Sequence, residues 1–208
     1  MDRTTDDSRT VKMYSDFKSP YAYLAFDPAR ALPERFDVQV RWIPFQLRLK
    51  GKGERSVYSE YKVKYSYMDA RRWAKARALW IRGPLKIYDT TPAAIGGLFA
   101  QKHGRLLDYG RLAFKQFFLR EFEADQADAV AGLLNSIGLS GQEYLDYLAG
   151  EGRLAYDRCQ EEAATDHVFG VPFFIFRGEP FWGYDRMPLL EQRLTEAGLV
   201  SSARAPAA

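Results

Sequence analysis

The sequence predicts an α/β fold that carries a large, all-helical insertion. Three observations support this prediction. A strand–helix–strand pattern occupies residues 11–44, and a helix–strand–strand–helix pattern occupies residues 155–197. Between the two, from about residue 50, apolar residues recur at helical spacing and no convincing strand appears. A chain of 208 residues is long enough for one domain with such an insertion.

The first pattern begins with residues 11–16, where apolar and polar side chains alternate as in a strand. A helix is expected over residues 21–32, because Ser19 stands where an N-cap residue belongs and Pro20 where a first-turn proline is tolerated. Residues 38–42 alternate again, and this second strand stops near Pro44. Together these elements form a βαβ unit.

The second pattern follows helices expected near residues 62–80, 91–103, 108–121, 126–136 and 142–149, with a further helix over 155–168. Residues 171–176 are apolar enough for a buried strand, residues 177–179 form a turn, residues 180–182 a short partner strand, and residues 186–197 a last helix. A βαβ half and a ββα half joined through a helix make the thioredoxin-like arrangement. We therefore assign residues 11–48 and 160–199 to a thioredoxin-like domain and 49–159 to a helical insertion. Residues 1–10 are expected to be disordered and residues 200–208 to form a flexible tail.

The composition excludes most kinds of metal site and of disulfide chemistry. Cys159 is the single cysteine, which excludes an internal disulfide framework, a cysteine-rich zinc site and a redox pair of cysteines. The two histidines are too few for a multi-histidine metal centre, so no metal is expected. The sequence has neither a secretory signal at its start nor an apolar run of about 18 residues, so we expect a cytoplasmic protein with no membrane partner.

Positive charge is concentrated in one segment. The net charge is +3, but residues 48–86 contain twelve Lys and Arg against Glu54, Glu60 and Asp69. Such a segment suits nucleic acid, an anionic membrane or a small anionic ligand, or is simply a solvated helix face. The absence of a nucleic-acid-binding motif and the mildly basic pI of 8.9 argue against nucleic acid. The more specific hypothesis is that these basic side chains line a site for a small anionic ligand.

Ser19 is the first candidate functional residue. Backbone N–H groups at a helix start are unsatisfied and carry partial positive charge, which stabilises anions such as a thiolate. In a thioredoxin-like fold this junction normally holds the reactive cysteine. A serine there cannot exchange disulfides, but its hydroxyl can donate a hydrogen bond to a thiolate brought by a cofactor. The alternative is a plain N-cap, worth about 1 kcal/mol to the helix.

Two further candidates lie near the second strand pair. Pro172, in the sequence Gly-Val-Pro at residues 170–172, is expected to follow a cis peptide bond that faces Ser19, with Val171 offering backbone groups to an extended ligand. The alternative is a proline confined to the first residue of a strand. Asp185 is either the N-cap of the last helix or a carboxylate that binds an amino group, with helix-end N–H groups nearby for a ligand carboxylate.

Three motifs together resemble the 2-hydroxychromene-2-carboxylate isomerase family. They are Asp-Phe-Lys-Ser-Pro-Tyr-Ala-Tyr-Leu-Ala at residues 16–25, Gly-Val-Pro at residues 170–172, and Phe-Trp-Gly-Tyr-Asp-Arg at residues 181–186. That family is closely related to kappa-class glutathione transferases and more distantly to periplasmic disulfide oxidoreductases. The resemblance spans residues 11–197, with the motifs in the expected order and spacing. It implies glutathione as cofactor, a small-molecule substrate and, because relatives are often dimers, a homodimer.

The resemblance also implies roles for individual residues. Ser19 matches the serine that holds the glutathione sulfur as a thiolate, and Val171 matches the residue that pairs with the cysteinyl part, just before cis-Pro172. The γ-glutamyl end is expected at Gly183, Tyr184 and Asp185. Lys62, in the sequence Lys-Val-Lys-Tyr-Ser-Tyr-Met-Asp, matches a glutathione-contacting lysine. Side chains expected to line the substrate site include Tyr21, Tyr23, Trp182 and nearby lysines.

The implied reaction is the isomerisation of a conjugated carboxylate of aromatic catabolism. The glutathione thiolate adds to an electron-poor carbon, rotation follows about the bond made single, and elimination returns the thiolate. Two departures concern glutathione and the substrate: residues 51–56 lack the Asn and Pro that many members have in this loop, and Tyr184 stands where relatives often have a smaller residue or an amide.

Two alternatives remain open at this stage. One is a kappa-like glutathione transferase acting on another electrophile. The other is a non-redox, thioredoxin-like module that binds peptides along the cis-proline edge without catalysis. Activity as a disulfide oxidoreductase is excluded, because Ser19 and Ala22 stand where such an enzyme needs cysteines.

Overall fold

The computed structural model describes residues 7–47 and 60–201. Its strands are β1 (Thr10–Ser15), β2 (Gln39–Pro44), β3 (Phe173–Phe176) and β4 (Glu179–Trp182). Its α-helices are α1 (Pro20–Arg30), α2 (Glu60–Lys75), α3 (Thr91–Lys102), α4 (Leu106–Leu119), α5 (Ala127–Ser136), α6 (Gly141–Ala149), α7 (Glu151–Thr165) and α8 (Met187–Glu196). The helices α2–α6 lie between the two halves of the sheet in sequence, as predicted for an insertion.

The four strands form one sheet in the order β2-β1-β3-β4. β1 and β2 are parallel and joined by α1, whereas β3 runs antiparallel to β1 and β4 antiparallel to β3. Met13, in the middle of β1, pairs with Trp42 of β2 and Phe174 of β3, and all three side chains are buried. This sheet with its inserted helices confirms the predicted thioredoxin-like fold.

An aromatic cluster joins the sheet to the inserted helices. The ring of Phe17, between β1 and α1, lies 4.6 Å from that of Phe114 and 5.9 Å from that of Tyr109, both on α4. It also lies 6.1 Å from Trp42 on β2. Burying one such side chain stabilises the fold by about 2–3 kcal/mol. Because Phe17 lies two residues before Ser19, the cluster holds the β1–α1 junction in place.

The chain is ordered earlier than predicted at its start. A 3-10 helix spans Asp7–Arg9, and Thr10 already pairs with Gln39 in the sheet. The Arg9 guanidinium also pairs with Asp37, which fastens this segment to the start of β2. The prediction of disorder is therefore wrong for residues 7–10, and residues 1–6 lie outside the described residues.

Two residues of the predicted tail belong to the fold. Val200 forms an antiparallel bridge with Phe36, and the Ser201 N–H donates to the Arg35 carbonyl over 2.9 Å. These backbone hydrogen bonds extend the ordered chain past α8, so the prediction of a flexible tail is wrong for residues 200 and 201. Residues 202–208 lie outside the described residues.

Several element boundaries differ from prediction, and three of the differences bear on the fold. Helix α2 ends at Lys75 rather than near residue 80, because Ala78 adopts φ +52° and the following chain turns to bury Ile81. Helix α7 begins at Glu151 and runs through the assigned domain boundary at residue 159. Strand β3 begins at Phe173, since Pro172 has no N–H to donate to the ladder.

None of the helices in residues 7–47 and 60–201 is both long and apolar enough to cross a membrane. Over the same residues, no three His, Cys, Asp or Glu side chains form a group that could hold a metal ion.

Burial raises the pKa of the Cys159 thiol to about 11, so the thiol is protonated and weakly nucleophilic near neutral pH.

Candidate active site

A cleft of about 1040 Å³ lies between one end of the sheet and helix α2. Of the predicted site residues, Tyr23 does not reach it, because its ring stacks on those of Phe114 and Phe118. The other nine predicted residues line the cleft. Its lining includes Ser19, Tyr21, Lys62, Val171, Pro172, Trp182, Gly183, Tyr184 and Asp185. These residues come from both halves of the sheet and from the insertion, so only the folded chain brings them together.

Ser19 caps helix α1 at the floor of the cleft. Its φ and ψ of −87° and 116° are extended, and its Oγ accepts a hydrogen bond from the Ala22 N–H over 3.1 Å. The same hydroxyl donates to the Val171 carbonyl over 3.0 Å, and the residue is 5% exposed. Ser19 is thus an N-cap, and its hydroxyl is also aimed at the residue before Pro172.

Val171 presents an edge of free backbone beside Ser19. The Val171–Pro172 peptide bond is cis, as expected. The Pro172 carbonyl accepts from the Gly183 N–H over 2.9 Å, which joins this turn to the end of β4. Among the described residues the Val171 N–H has no acceptor, so an extended ligand can pair with it as a further strand would.

Gly183 and Asp185 form the end of the cleft near α8. Gly183 has φ +114°, and a Cβ there would lie 2.5 Å from Asp185 Oδ1. The N-cap of α8 is Arg186, which makes no side-chain cap hydrogen bond, so the alternative that Asp185 caps this helix is wrong. Instead, Asp185 is the middle residue of a turn of 3-10 helix, Tyr184–Arg186, and its Oδ2 lies 3.2 Å from Arg186 Nη1. Its exposed carboxylate can meet a ligand ammonium.

Tyr21 and Tyr184 connect the sheet side of the cleft to α2. The Tyr21 hydroxyl donates to Asp69 Oδ2 over 2.8 Å, and the Tyr184 ring lies 5.5 Å from the Trp73 ring in an edge-on arrangement. Burial raises the pKa of Tyr21, and the hydrogen bond to Asp69 raises it further. The Tyr21 phenol is therefore neutral at physiological pH, and it ties α1 to α2.

Trp182 lies at the mouth of the cleft, at the end of β4. Its indole packs against Gly170 so closely that a Cβ on Gly170 would lie 2.8 Å from the indole nitrogen. On the other side, its ring centroid is 4.8 Å from that of Phe169. Trp182 and Phe169 are 47% and 59% exposed, so the pair offers an open aromatic surface to a ligand.

Lysines and arginines outnumber acids along the cleft. Lys62 lies on the exposed, cleft-lining part of α2. The cationic lining residues are Lys18, Lys62, Lys64, Arg71, Lys86 and Arg186, against the carboxylates of Asp69 and Asp185. This imbalance favours an anionic ligand. The loop at residues 51–56, which departs from the pattern of the resembled family, lies outside the described residues.

A buried polar cluster lies under Ser19 and was not predicted from the sequence. Asp16 is 3% exposed, and its carboxylate accepts from the Leu47 N–H, the Lys18 N–H and the Thr90 hydroxyl over 2.8–2.9 Å. Lys18, at 8% exposure, lines the cleft above it. The available signal was a pair of opposite charges beside a buried aromatic residue, where a strand runs into a helix.

Comparison with known proteins agrees with this architecture. Residues 10–195 match the model of the DSBA-like thioredoxin domain family. The chain belongs to this family. The match covers the sheet, the insertion and most of α8, so it confirms that the whole described architecture is that of the family.

Similar proteins include two isomerases. The 2-hydroxychromene-2-carboxylate isomerase of Pseudomonas putida is 24% identical over 192 residues, which cover 88% of this chain and 93% of the relative. That of Sphingobium xenophagum is 23% identical over 199 residues, or 91% and 100%. A solved structure of 2-hydroxychromene-2-carboxylate isomerase superposes with a TM-score of 0.76 at 24% identity, over 90% of this chain and 95% of that one. The resemblance predicted from the three motifs is thereby confirmed.

Proposed function

We propose that the protein is a glutathione-dependent isomerase of a conjugated carboxylate. The observation that carries the proposal is the Ser19 hydroxyl, buried at the start of α1 and hydrogen-bonded to the residue before cis-Pro172. The named isomerases among the relatives support an enzyme role of this type. A serine in this place retains the anion-stabilising helix start and lacks the sulfur needed for disulfide exchange.

The chemistry of the cleft fits glutathione, which carries an ammonium and two carboxylates. The free N–H of Val171 matches a peptide backbone, and the exposed Asp185 carboxylate matches the ammonium of a γ-glutamyl group. Lys62 and the other cations of the lining match the carboxylates. Bound there, glutathione would supply a thiolate nucleophile to a conjugated acceptor.

Ser19 would lower the pKa of a thiol held against it. Its Oγ accepts from the Ala22 N–H, which leaves the hydroxyl proton as the group to donate. In the structure the hydroxyl donates this proton to the Val171 carbonyl. If a ligand N–H takes over that carbonyl, the Ser19 hydroxyl can donate to a sulfur anion instead. The partial positive charge at the start of α1 acts in the same direction. Tyr21, neutral and bound to Asp69, would orient the ligand without exchanging protons.

The test compares Ser19→Ala with Ser140→Ala. Both serines cap helices, since Ser140 Oγ accepts from the Glu143 N–H over 3.2 Å, so both variants should lose about 1 kcal/mol of stability. Glutathione is titrated calorimetrically into each protein, and thiolate is followed by its ultraviolet absorbance. We expect wild type and Ser140→Ala to bind glutathione as thiolate, and Ser19→Ala to lose the thiolate signal. Turnover of conjugated carboxylates in the presence of glutathione should fall about 100-fold or more in Ser19→Ala alone.

Other outcomes would redirect the proposal. If wild type binds no glutathione, the cofactor is wrong and a peptide-binding module becomes the better account of the Val171 edge. If glutathione binds as thiolate but is found joined to the acceptor in the product, the protein is a transferase. Isomerised carboxylate with glutathione recovered intact supports the isomerase.

A further inference from the structure

Lys18 is a buried cation at the wall of the cleft, immediately before Ser19. Its side chain is 7% exposed, yet it belongs to the cleft lining. Burying an ammonium group is costly unless it is paired and hydrogen-bonded. Its partners therefore show how much of its bonding capacity the protein itself uses.

Asp16 compensates the charge of Lys18 but satisfies little of its hydrogen-bonding capacity. Lys18 Nζ lies 3.4 Å from Asp16 Oδ2, at the distance of an ion pair. The Asp16 oxygens already accept from the Leu47 and Lys18 N–H groups and from the Thr90 hydroxyl. An ammonium has three donors, and among the described residues no hydrogen bond of ordinary geometry satisfies those of Lys18. The Lys18 ammonium is thus held in place by its ion pair, and its N–H donors are available to a ligand.

The Lys18 ammonium lies beside the end of the cleft that is formed by residues 83–88, because its charge acts on Asp89. Leu47 shares the Asp16 carboxylate with Lys18, and Asp16 also acts on the nearby phenol of Tyr67, whose pKa is raised to about 12, chiefly by burial. The Tyr67 ring in turn lies against Gly83. The next cleft residues along the chain include Leu85 and Ile87, which are 80% and 60% exposed. This end, which we call the Lys18 end, combines a buried cation with an apolar wall.

We propose that Lys18 binds the anionic group of the second substrate, and that this substrate is an apolar acid whose body lies on the apolar wall. The assignment rests on the proposed function, in which Tyr184 and Asp185 hold the γ-glutamyl end of glutathione. A charge-assisted hydrogen bond is about twice as strong as one between neutral groups, and burial of the ammonium strengthens it. Lys18 therefore selects for a negative charge and orients the acceptor relative to Ser19.

The test measures binding of two probes of the same shape, trans-cinnamate and trans-cinnamamide, by calorimetry with and without glutathione. We expect wild type to prefer the carboxylate about tenfold, Lys18→Arg to keep part of the preference, and Lys18→Met to lose it. Asp16→Asn combined with Lys18→Met removes both buried charges together and should also lose the preference. Lys102→Met is the control: its ammonium lies 2.8 Å from Glu151, and the residue is not part of the cleft lining.

The outcomes separate this inference from the proposed function. Equal affinity of wild type for the two probes, or no binding of either, overturns the role of Lys18 whatever glutathione does. A Lys18→Met protein that keeps the carboxylate preference but loses glutathione affinity also overturns it, because Lys18 would then serve the cofactor. Absence of glutathione binding with a Lys18-dependent carboxylate preference contradicts the proposed function and leaves the anion site standing.

Discussion

The two walls of the cleft differ in how firmly the fold holds them. On the sheet side, Ser19, Val171 and Pro172 are buried and joined by hydrogen bonds to each other or to Gly183. On the α2 side, most of the side chains from residue 61 to residue 75 are exposed, and Ala70 and Ala74 are the buried ones.

Helix α2 depends instead on a few tethers. They include the hydrogen bonds of Tyr21 to Asp69 and of Arg71 to the Ile81 carbonyl, and the contact of Trp73 with Tyr184. Segments with little buried apolar surface open at lower free energy than the core. The sheet wall is thus suited to hold reacting groups in fixed positions, while the α2 wall can adapt to different ligands.

The largest effect is expected from Gly183→Ala, which disturbs the sheet wall. The variant places a residue with a Cβ at φ +114° and pushes against Asp185, so we expect a loss of about 2 kcal/mol in the free energy of unfolding. Displacement of the Asp185 carboxylate should weaken glutathione binding about tenfold. Urea unfolding and calorimetric titration measure the two effects.

Gly178→Ala is the matched control for that prediction. Gly178 also has positive φ, at +80°, but nothing lies within 4 Å of an added Cβ. It should lose about 1 kcal/mol of stability and bind glutathione as wild type does. Equal losses of glutathione affinity in the two variants would show that general backbone strain, and not Asp185, is responsible.

A smaller effect is expected on the face of the sheet covered by α7. Burial alone would raise the pKa of Asp166, but hydrogen bonds from Lys12 and Tyr14 outweigh it and hold that pKa below its usual value. The ionised carboxylate therefore stabilises the fold fully above about pH 4, and this stability is lost as the pH falls toward the lowered pKa. Asp166→Asn should cost about 1.5 kcal/mol at neutral pH.

Urea unfolding at about pH 7 and pH 3 measures that contribution. Acid should reduce the free energy of unfolding less in Asp166→Asn than in wild type, because the variant has no carboxylate to protonate there. Asp157→Asn, on the same helix and paired with Arg153 across an exposed turn, should respond to acid as wild type does. If acid lowers the free energy of unfolding equally in all three proteins, Asp166 does not contribute to the acid dependence of stability.

The smallest effect is expected from Tyr21→Phe, which releases one tether of α2. Loss of the hydrogen bond to Asp69 should cost about 1 kcal/mol and speed amide hydrogen exchange in α2, with little change in the sheet. Tyr23→Phe makes the same change on the same helix, at a hydroxyl with no hydrogen-bond partner among the described residues, and should leave exchange in α2 unchanged. If α2 and the sheet exchange at the same rate in wild type, the two walls do not differ as described.

Local signals predicted the elements and their caps better than their lengths. A serine and a proline at a strand–helix junction correctly predicted the Ser19 N-cap. The apolar residues Leu79 and Trp80 continue the helical spacing of α2, but the chain leaves the helix at Ala78 because Ile81 is buried elsewhere. Asp185 has the sequence signature of an N-cap, yet a 3-10 turn intervenes before α8 begins.

By itself, the sequence determined what depends on neighbouring residues: the alternation of the strands, the capping of α1, the helical character of the insertion and the positive charge within it. Only the tertiary structure decided what depends on distant residues. It places the Ser19 hydroxyl on the Val171 carbonyl, 152 residues away, and Asp16 on the Thr90 hydroxyl, 74 residues away. Periodicity and capping act over a few residues, whereas these contacts exist only after the sheet has closed and packed its aromatic core, so a local pattern carries no record of them.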